Sequence, residues 1–113
     1  MSERQTAYVS YLTLAHRFHQ DMSKVEPFGT PAATQAWLRQ FEQARTIVGL
    51  LGTAEVWRHA RQLATVIGEA MSEAPGYKQD REREFLETWD VLLTAMRNDI
   101  QMTIIGQQAQ PLV

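Results

Sequence analysis

The stretch Val48-Gly49-Leu50-Leu51-Gly52-Thr53-Ala54-Glu55-Val56-Trp57 decides the fold. An apolar-rich run meets a glycine, a threonine, an acid and then further apolar residues. Gly52 stands where a helix often ends on a left-handed residue, a conformation glycine adopts without steric cost. Thr53 follows at once as an N-cap, and Glu55 falls in the next first turn, where the helix dipole favours an acid. One helix stops and another starts with almost no loop. Such a link predicts two antiparallel helices in a tight hairpin.

The remaining breakers fall at Pro27, Gly29 and Pro31, at Pro75 and Gly76, and at Gly106 and Pro111. Every segment between them carries apolar residues at helical spacing, and none alternates as a half-buried strand does. Helix one is expected from about Arg4 to Ser23, with Ala7, Tyr8, Tyr11, Leu12, Leu14, Ala15, Phe18 and Met22 on one broad face. Helix two follows VEPFGTPAATQ, capped by Thr30 with Pro31 in the first position, and runs to about Leu51. Its stripe is Trp37, Phe41, Ala44, Val48 and Leu51, stepping four-three-four-three as a bundle seam does.

Helix three is expected over about Ala54 to Ser72, with Val56, Ala60, Leu63, Ala64, Ile67, Ala70 and Met71 inside. Ala60, Ala64 and Gly68 form a ladder of small residues that predicts close approach of a neighbouring backbone. After SEAPGYKQD, Asp80 is the expected cap of helix four. That helix is read to about Thr103, with Phe85, Trp89, Leu92, Leu93, Met96 and Ile100 facing inward. The expected fold is all-α: an antiparallel up-down-up-down four-helix bundle over residues 1–105, with a frayed tail over 106–113.

Composition narrows the function classes. A chain of 113 residues favours one domain and can bury a core unaided. With no cysteine, disulfides, thiolate chemistry and Cys-ligated zinc are excluded. A formal charge of −2 gives no electrostatic footprint for nucleic acid, and it is too slight for a DNA mimic. GTAEVWRHARQL places Arg58, His59 and Arg61 after a turn, but the preceding helix is too long for a helix-turn-helix and no basic stripe extends beyond it. No apolar run approaches the ~20 residues that span a bilayer, and Ser10, Thr13, His16 and Arg17 interrupt any secretory core. The expected location is therefore the cytoplasm.

Three segments carry a family resemblance. RQTAYVSYL (Arg4, Ala7, Tyr8, Tyr11, Leu12) resembles an Arg-x-x-Ala-Tyr-x-x-Phe-Leu opening. VGLLGTAEVWRHA resembles a Leu-Leu-Gly-x-x-Glu-Val-x-x-x-Ala hairpin. FLETWDVLLTAMRNDI resembles a last helix ending in Arg-x-Asp-Leu. All three occur, in this order, in small uncharacterised bacterial helical proteins abundant in actinobacteria. Tyr11 and Ile100 depart conservatively from that pattern. The resemblance implies the helical fold and no activity. Some such proteins carry an upstream membrane helix, a feature not carried over to this chain. It also draws attention to Arg4, Arg45 and Asp99 at the edges of the apolar stripes. Buried charges are generally paired, so these three are expected to form an ion-pair network that sets helix register.

No glycine-rich phosphate loop or Gly-x-Ser-x-Gly elbow is present, and no serine or threonine has an evident base partner. No catalytic residue and no cofactor is expected. His16 and His19, three apart, with Glu55 and His59, four apart, supply an alternative: a metal-binding bundle. The leading expectation is a non-catalytic protein–protein interaction module, acting through self-association as a homodimer or through a protein partner. Val9, Ile47, Val66, Val91 and Met102 fall outside the inward stripes and Trp57 at the edge of one; clustered, they would form a docking patch.

Overall fold

The computed structural model describes residues 2–21, 28–72 and 79–109, side chains excepted at 79 and 102–109. Four helices follow in order: α1 (Glu3–Asp21), α2 (Pro31–Leu51), α3 (Ala54–Ser72) and α4 (Gln79–Ala109). Among the described residues there is no strand. Each helix packs on its neighbour in sequence, most extensively α1 on α2 and α3 on α4, and α1 closes the ring against α4. The fold is an all-α four-helix bundle. Met22, the Met102 side chain, residues 110–113 and most of the two longer links lie outside the described residues.

Local chemistry starts these helices. Ser2 and Gln5 form a reciprocal capping box at α1: the Gln5 N–H donates to Ser2 Oγ at 3.1 Å and the Ser2 N–H to Gln5 Oε1 at 2.9 Å. Thr30 Oγ1 accepts from the Ala33 N–H at 3.0 Å, and Pro31 opens α2. Thr53 Oγ1 accepts from the Val56 N–H at 3.1 Å and so caps α3. Asp80 is not the cap of α4. That helix already begins at Gln79, which puts Asp80 within its first turn.

Most of each inward stripe is what the periodicity predicts; Leu93, expected inside, is only half-buried, and Thr88 and Ala95 are buried beside the stripe of α4. Tyr8, Tyr11, Ala15, Phe18, Trp37, Phe41, Val48, Val56, Ala60, Leu63, Ile67, Phe85, Leu92 and Met96 make one core. Aromatic rings order its α1–α2 half. Tyr11 stacks on Phe41 at 4.9 Å, Phe41 on Trp37 at 4.9 Å, and Trp37 on both Phe28 and Phe18. Phe28 holds a left-handed backbone, φ 66°, rare for an aromatic residue. Its ring is anchored against Trp37 and lies beneath the Arg17 guanidinium. Tyr11 also reaches across the core, its hydroxyl donating to the Ala60 carbonyl at 2.5 Å.

Three local expectations are corrected. Gly52 is extended, with φ −89° and ψ 177°, and not left-handed. Its missing side chain is needed for space instead: a Cβ there would lie 2.7 Å from the Val48 carbonyl oxygen and 3.0 Å from the Tyr8 hydroxyl. The small-residue ladder stops short, because a Cβ on Gly68 would meet nothing within 4 Å. Finally, α4 runs on to Ala109, past the expected end near Thr103. A single glycine in a helix costs only about 1 kcal/mol, and Gln107, Gln108 and Ala109 are adequate helix formers.

That extra length shapes the molecule. α4 has 31 residues against 21 in α2. Asp99 stands level with Arg4 at the start of α1 and with Leu51 at the end of α2, since Arg4 touches both. Ile100 still packs against the core, and beyond it the α4 backbone continues to Ala109. The molecule measures 59 × 27 × 19 Å. No helix among the described residues is long and apolar enough to cross a membrane.

Candidate interaction groove

The end of the bundle from which α4 projects is tied by polar groups. Arg4 Nε donates to the Leu51 carbonyl at 2.7 Å, and Arg4 Nη1 meets the two Asp99 carboxylate oxygens at 3.2 and 3.3 Å. The buried Tyr8 hydroxyl donates to Asp99 Oδ2 at 2.7 Å. One carboxylate thus holds two residues of α1, and through Arg4 the last carbonyl of α2. Burial, above all, and then the hydrogen bond to Asp99 and its charge push the Tyr8 phenol above its ordinary pKa, while Arg4 and the Thr53 backbone oppose the rise. Burial likewise pushes Tyr11 up, against the nearby positive charge of Arg45.

The expected pairing of Arg4 with Asp99 is present, but Arg45 is not part of it. Among the described residues Arg45 forms no hydrogen bond or ion pair, and its charge acts instead on Tyr11. Tyr8 takes the place expected for Arg45. An apolar stripe marks Tyr8 as core and says nothing of where its hydroxyl ends. The three sequence segments behind the resemblance meet at this tie, through Arg4 and Tyr8, Leu51 and Gly52, and Asp99.

Beside the tie a groove opens between α1 and α2 on the solvent side. Its volume is about 470 Å³. Ala7, Leu14, Ala44, Ile47 and Leu51 form its apolar lining, and Thr6, Ser10, Gln40 and Gln43 its uncharged polar rim. Among the described residues that line it, Glu3 alone is charged. The groove follows from helix periodicity: the large residues of both stripes point inward, leaving small or half-buried side chains where the two rods meet the surface. At about 1.5 Å per residue, the span from Glu3 to Leu14 is roughly 16 Å. Leu50, 78% exposed, stands next to its Leu51 end. The sequence reading missed Leu50, which looks like a continuation of the stripe.

The other expected surface residues do not gather. Ile47 lines the groove, while Val9 is exposed on α1 outside its lining. Val91 is exposed on α4, as is Leu86. Val66 is buried at 4% exposure, a correction: α3 packs against both α2 and α4, so its inward face is broader than one stripe. Trp57 is half-buried and folds back over Gly49, where a Cβ would approach its ring to 3.0 Å; the Arg61 guanidinium lies 5.9 Å from the ring. Trp57 thus closes the α2–α3 hairpin. A second depression, lined by Glu82, Arg83, Leu86, Glu87, Trp89 and Asp90, lies on α4 alone and is largely charged.

The four candidate metal ligands stay apart. His16 and His19 lie toward the end of α1, against the first turns of α4: His16 is 6.0 Å from the Trp89 ring, and His19 stacks on Phe85 at 4.9 Å with its Nε2 3.5 Å from Glu82 Oε1. Glu55 and His59 lie near the opposite end, in the first turns of α3, and His59 Nδ1 is buried without a hydrogen-bond partner among the described residues. Among the described residues, no three His, Asp or Glu side chains are grouped to hold a metal ion. The pairs i, i+3 and i, i+4 did place each couple on one helix side, but nothing in that spacing set the level of one helix against another.

Comparison of the chain with protein-family models, with curated proteins and with solved structures gave no match.

Proposed function

We propose that this protein is a non-catalytic interaction module whose α1–α2 groove receives an apolar helical segment of a protein partner. The observation that carries this reading is the groove itself: an apolar floor with an uncharged polar rim between two parallel-sided rods. Grooves of that kind take the apolar face of an amphipathic helix, with anchors one or two turns apart. Ile47 sits in its lining yet remains 38% exposed, as a contact residue awaiting a partner does. The polar tie at Arg4, Tyr8 and Asp99 supports a rigid scaffold for such docking, since it fixes α1 against α2 and α4.

The test compares the wild-type chain with Ile47→Asp, by light scattering of the purified protein and by pulldown from native lysate. An association, with itself or with a partner, that is present in wild type and lost in a variant of unchanged helicity supports the groove. A strictly monomeric wild type that recovers nothing, or associations untouched by Ile47→Asp, contradict it.

A further inference from the structure

The two stripes that line the groove run on past it. On α1 the helical steps from Glu3 through Ala7, Ser10 and Leu14 arrive at Arg17; on α2 those from Leu50 through Ile47, Gln43 and Gln40 arrive at Ala36. Steps of three and four residues keep to one side of a helix, so Arg17 and Leu50 share the face on which the groove opens. Glu3 and Arg17 are both exposed, and among the described residues neither forms an ion pair. They stand about 21 Å apart along one rod at 1.5 Å per residue, and cannot meet within the chain.

That face is complementary to itself. Tyr11 stacks on Phe41 and the Trp37 indole donates to the Leu14 carbonyl, which sets Ser10 and Gln43 at nearly one level. A two-fold axis lying across the two helices at that level lays α1 on α1 and α2 on α2 of a second copy, each antiparallel. Glu3 then falls opposite Arg17, Leu14 opposite the smaller Thr6 and Ala7, and the exposed Leu50 opposite Ala36. Both ends of the contact repeat these pairs, as two-fold symmetry requires. Arg39, also exposed, brings a second base near the end that receives Glu3, while Asp21 lies a turn beyond the reach of the opposing α1. With 19 residues in α1 and 21 in α2, the face is about 30 Å long and, at two helix diameters, about 20 Å wide. Two such faces cover on the order of 1,200 Å², the lower bound for a stable, specific interface.

Resting on the groove reading above, we propose that the helical segment received by the groove is the α1–α2 face of a second copy, in an antiparallel two-fold dimer that sets Glu3 of each copy against Arg17 of the other. The acid at one end and the bases at the other, the large residues lying over small ones and the sufficient area select a second copy as the occupant.

Sedimentation of four full-length proteins tests it: wild type, Ile47→Asp, Glu3→Arg and Arg17→Glu. Helicity and Tm verify that each folds. Wild type is expected to dimerise and Ile47→Asp to be monomeric. Each charge reversal sets like charges opposite one another at both ends, and is expected to weaken the dimer about tenfold. An equimolar mixture of the two reversals restores both pairs, so a heterodimer about as tight as the wild-type dimer forms from two weakened proteins. A dimer lost in Ile47→Asp but indifferent to both reversals overturns the inference and leaves the groove reading standing, as does a mixture no tighter than either reversal alone. A dimer kept in Ile47→Asp places the groove outside the contact and overturns the inference. A wild type that stays monomeric to millimolar concentration also overturns it, while partner capture by the groove stays a separate measurement.

Discussion

The Tyr8 hydroxyl donates a 2.7 Å hydrogen bond to Asp99 Oδ2, joining residues 91 positions apart in sequence. Arg4 meets the same carboxylate, so the first two turns of α1 are fixed to α4 by one side chain. Removing that carboxylate leaves the buried Tyr8 hydroxyl without its acceptor. The Arg4 side chain, 38% exposed, regains water and loses less. Asp99→Ala is expected to cost about 2–3 kcal/mol, a fall in Tm on the order of 10 °C. Asp99→Asn, which still accepts from Tyr8, costs about half as much. Thermal melts followed by circular dichroism measure both, and an Asp99→Ala protein melting within about 1 °C of wild type contradicts the tie.

Alkaline pH attacks the two buried phenols. Their pKa values are raised in the folded chain, mainly by burial. Unfolded tyrosine ionises near pH 10. The stability these groups contribute is therefore complete below about pH 10 and is lost as pH rises toward the folded values, because the unfolded state releases its protons first. Tm is expected to be flat to about pH 9 and to fall above it. Tyr8→Phe and Tyr11→Phe each flatten that fall while lowering Tm at neutral pH by about 1 kcal/mol equivalent. A Tm as steep above pH 10 in the double Phe variant as in wild type contradicts this origin.

Three glycines predict three different responses to alanine. Gly68→Ala fills open space in mid-helix and is expected to stabilise by about 0.5–1 kcal/mol. Gly52→Ala meets the Val48 carbonyl and the Tyr8 hydroxyl, and is expected to destabilise by about 1–3 kcal/mol. Gly49→Ala gains helix propensity but pushes on the Trp57 ring, which is half-buried and able to move. Its net effect is expected to be under about 1 kcal/mol, with a red-shifted tryptophan emission. In a Trp57→Leu background the same substitution becomes stabilising. Denaturant titrations order the series, and Gly52→Ala more stable than Gly68→Ala contradicts the packing described.

Val66 and Ile47 look alike in sequence and separate in structure. Val66→Asp buries a carboxylate in the core and is expected to cost more than about 3 kcal/mol, enough to unfold much of the chain. Ile47→Asp places the same group at the surface and leaves Tm within a few degrees. Helicity at 25 °C distinguishes them; a folded Val66→Asp protein contradicts the burial of α3.

Helix positions and the inward stripes were legible because glycine, proline and apolar spacing act locally. Thr30 and Thr53 as caps followed from the same local rules. The Ser2–Gln5 box is written just as locally, as Ser-x-x-Gln before an apolar run. What spacing does not carry is the relation between helices. It left Tyr8 as a hydrophobe, set Arg45 beside Asp99, and drew His16, His19, Glu55 and His59 toward one site. It also counted Val66 as surface, because a single stripe understates a helix packed on two sides. Arg4 and Asp99 were found because charged residues at stripe edges need partners. The groove was out of reach, since it arises where two stripes turn away from each other.

The central claim is that the α1–α2 groove is the surface through which this protein associates. Amide spectra of the full-length chain, recorded over a dilution series from millimolar to micromolar, test it most directly. Concentration-dependent shifts are expected along Glu3–Leu14 and Gln40–Leu51, with α3 silent. Shifts centred on α3, or on the charged face of α4 at Glu82–Asp90, would contradict it.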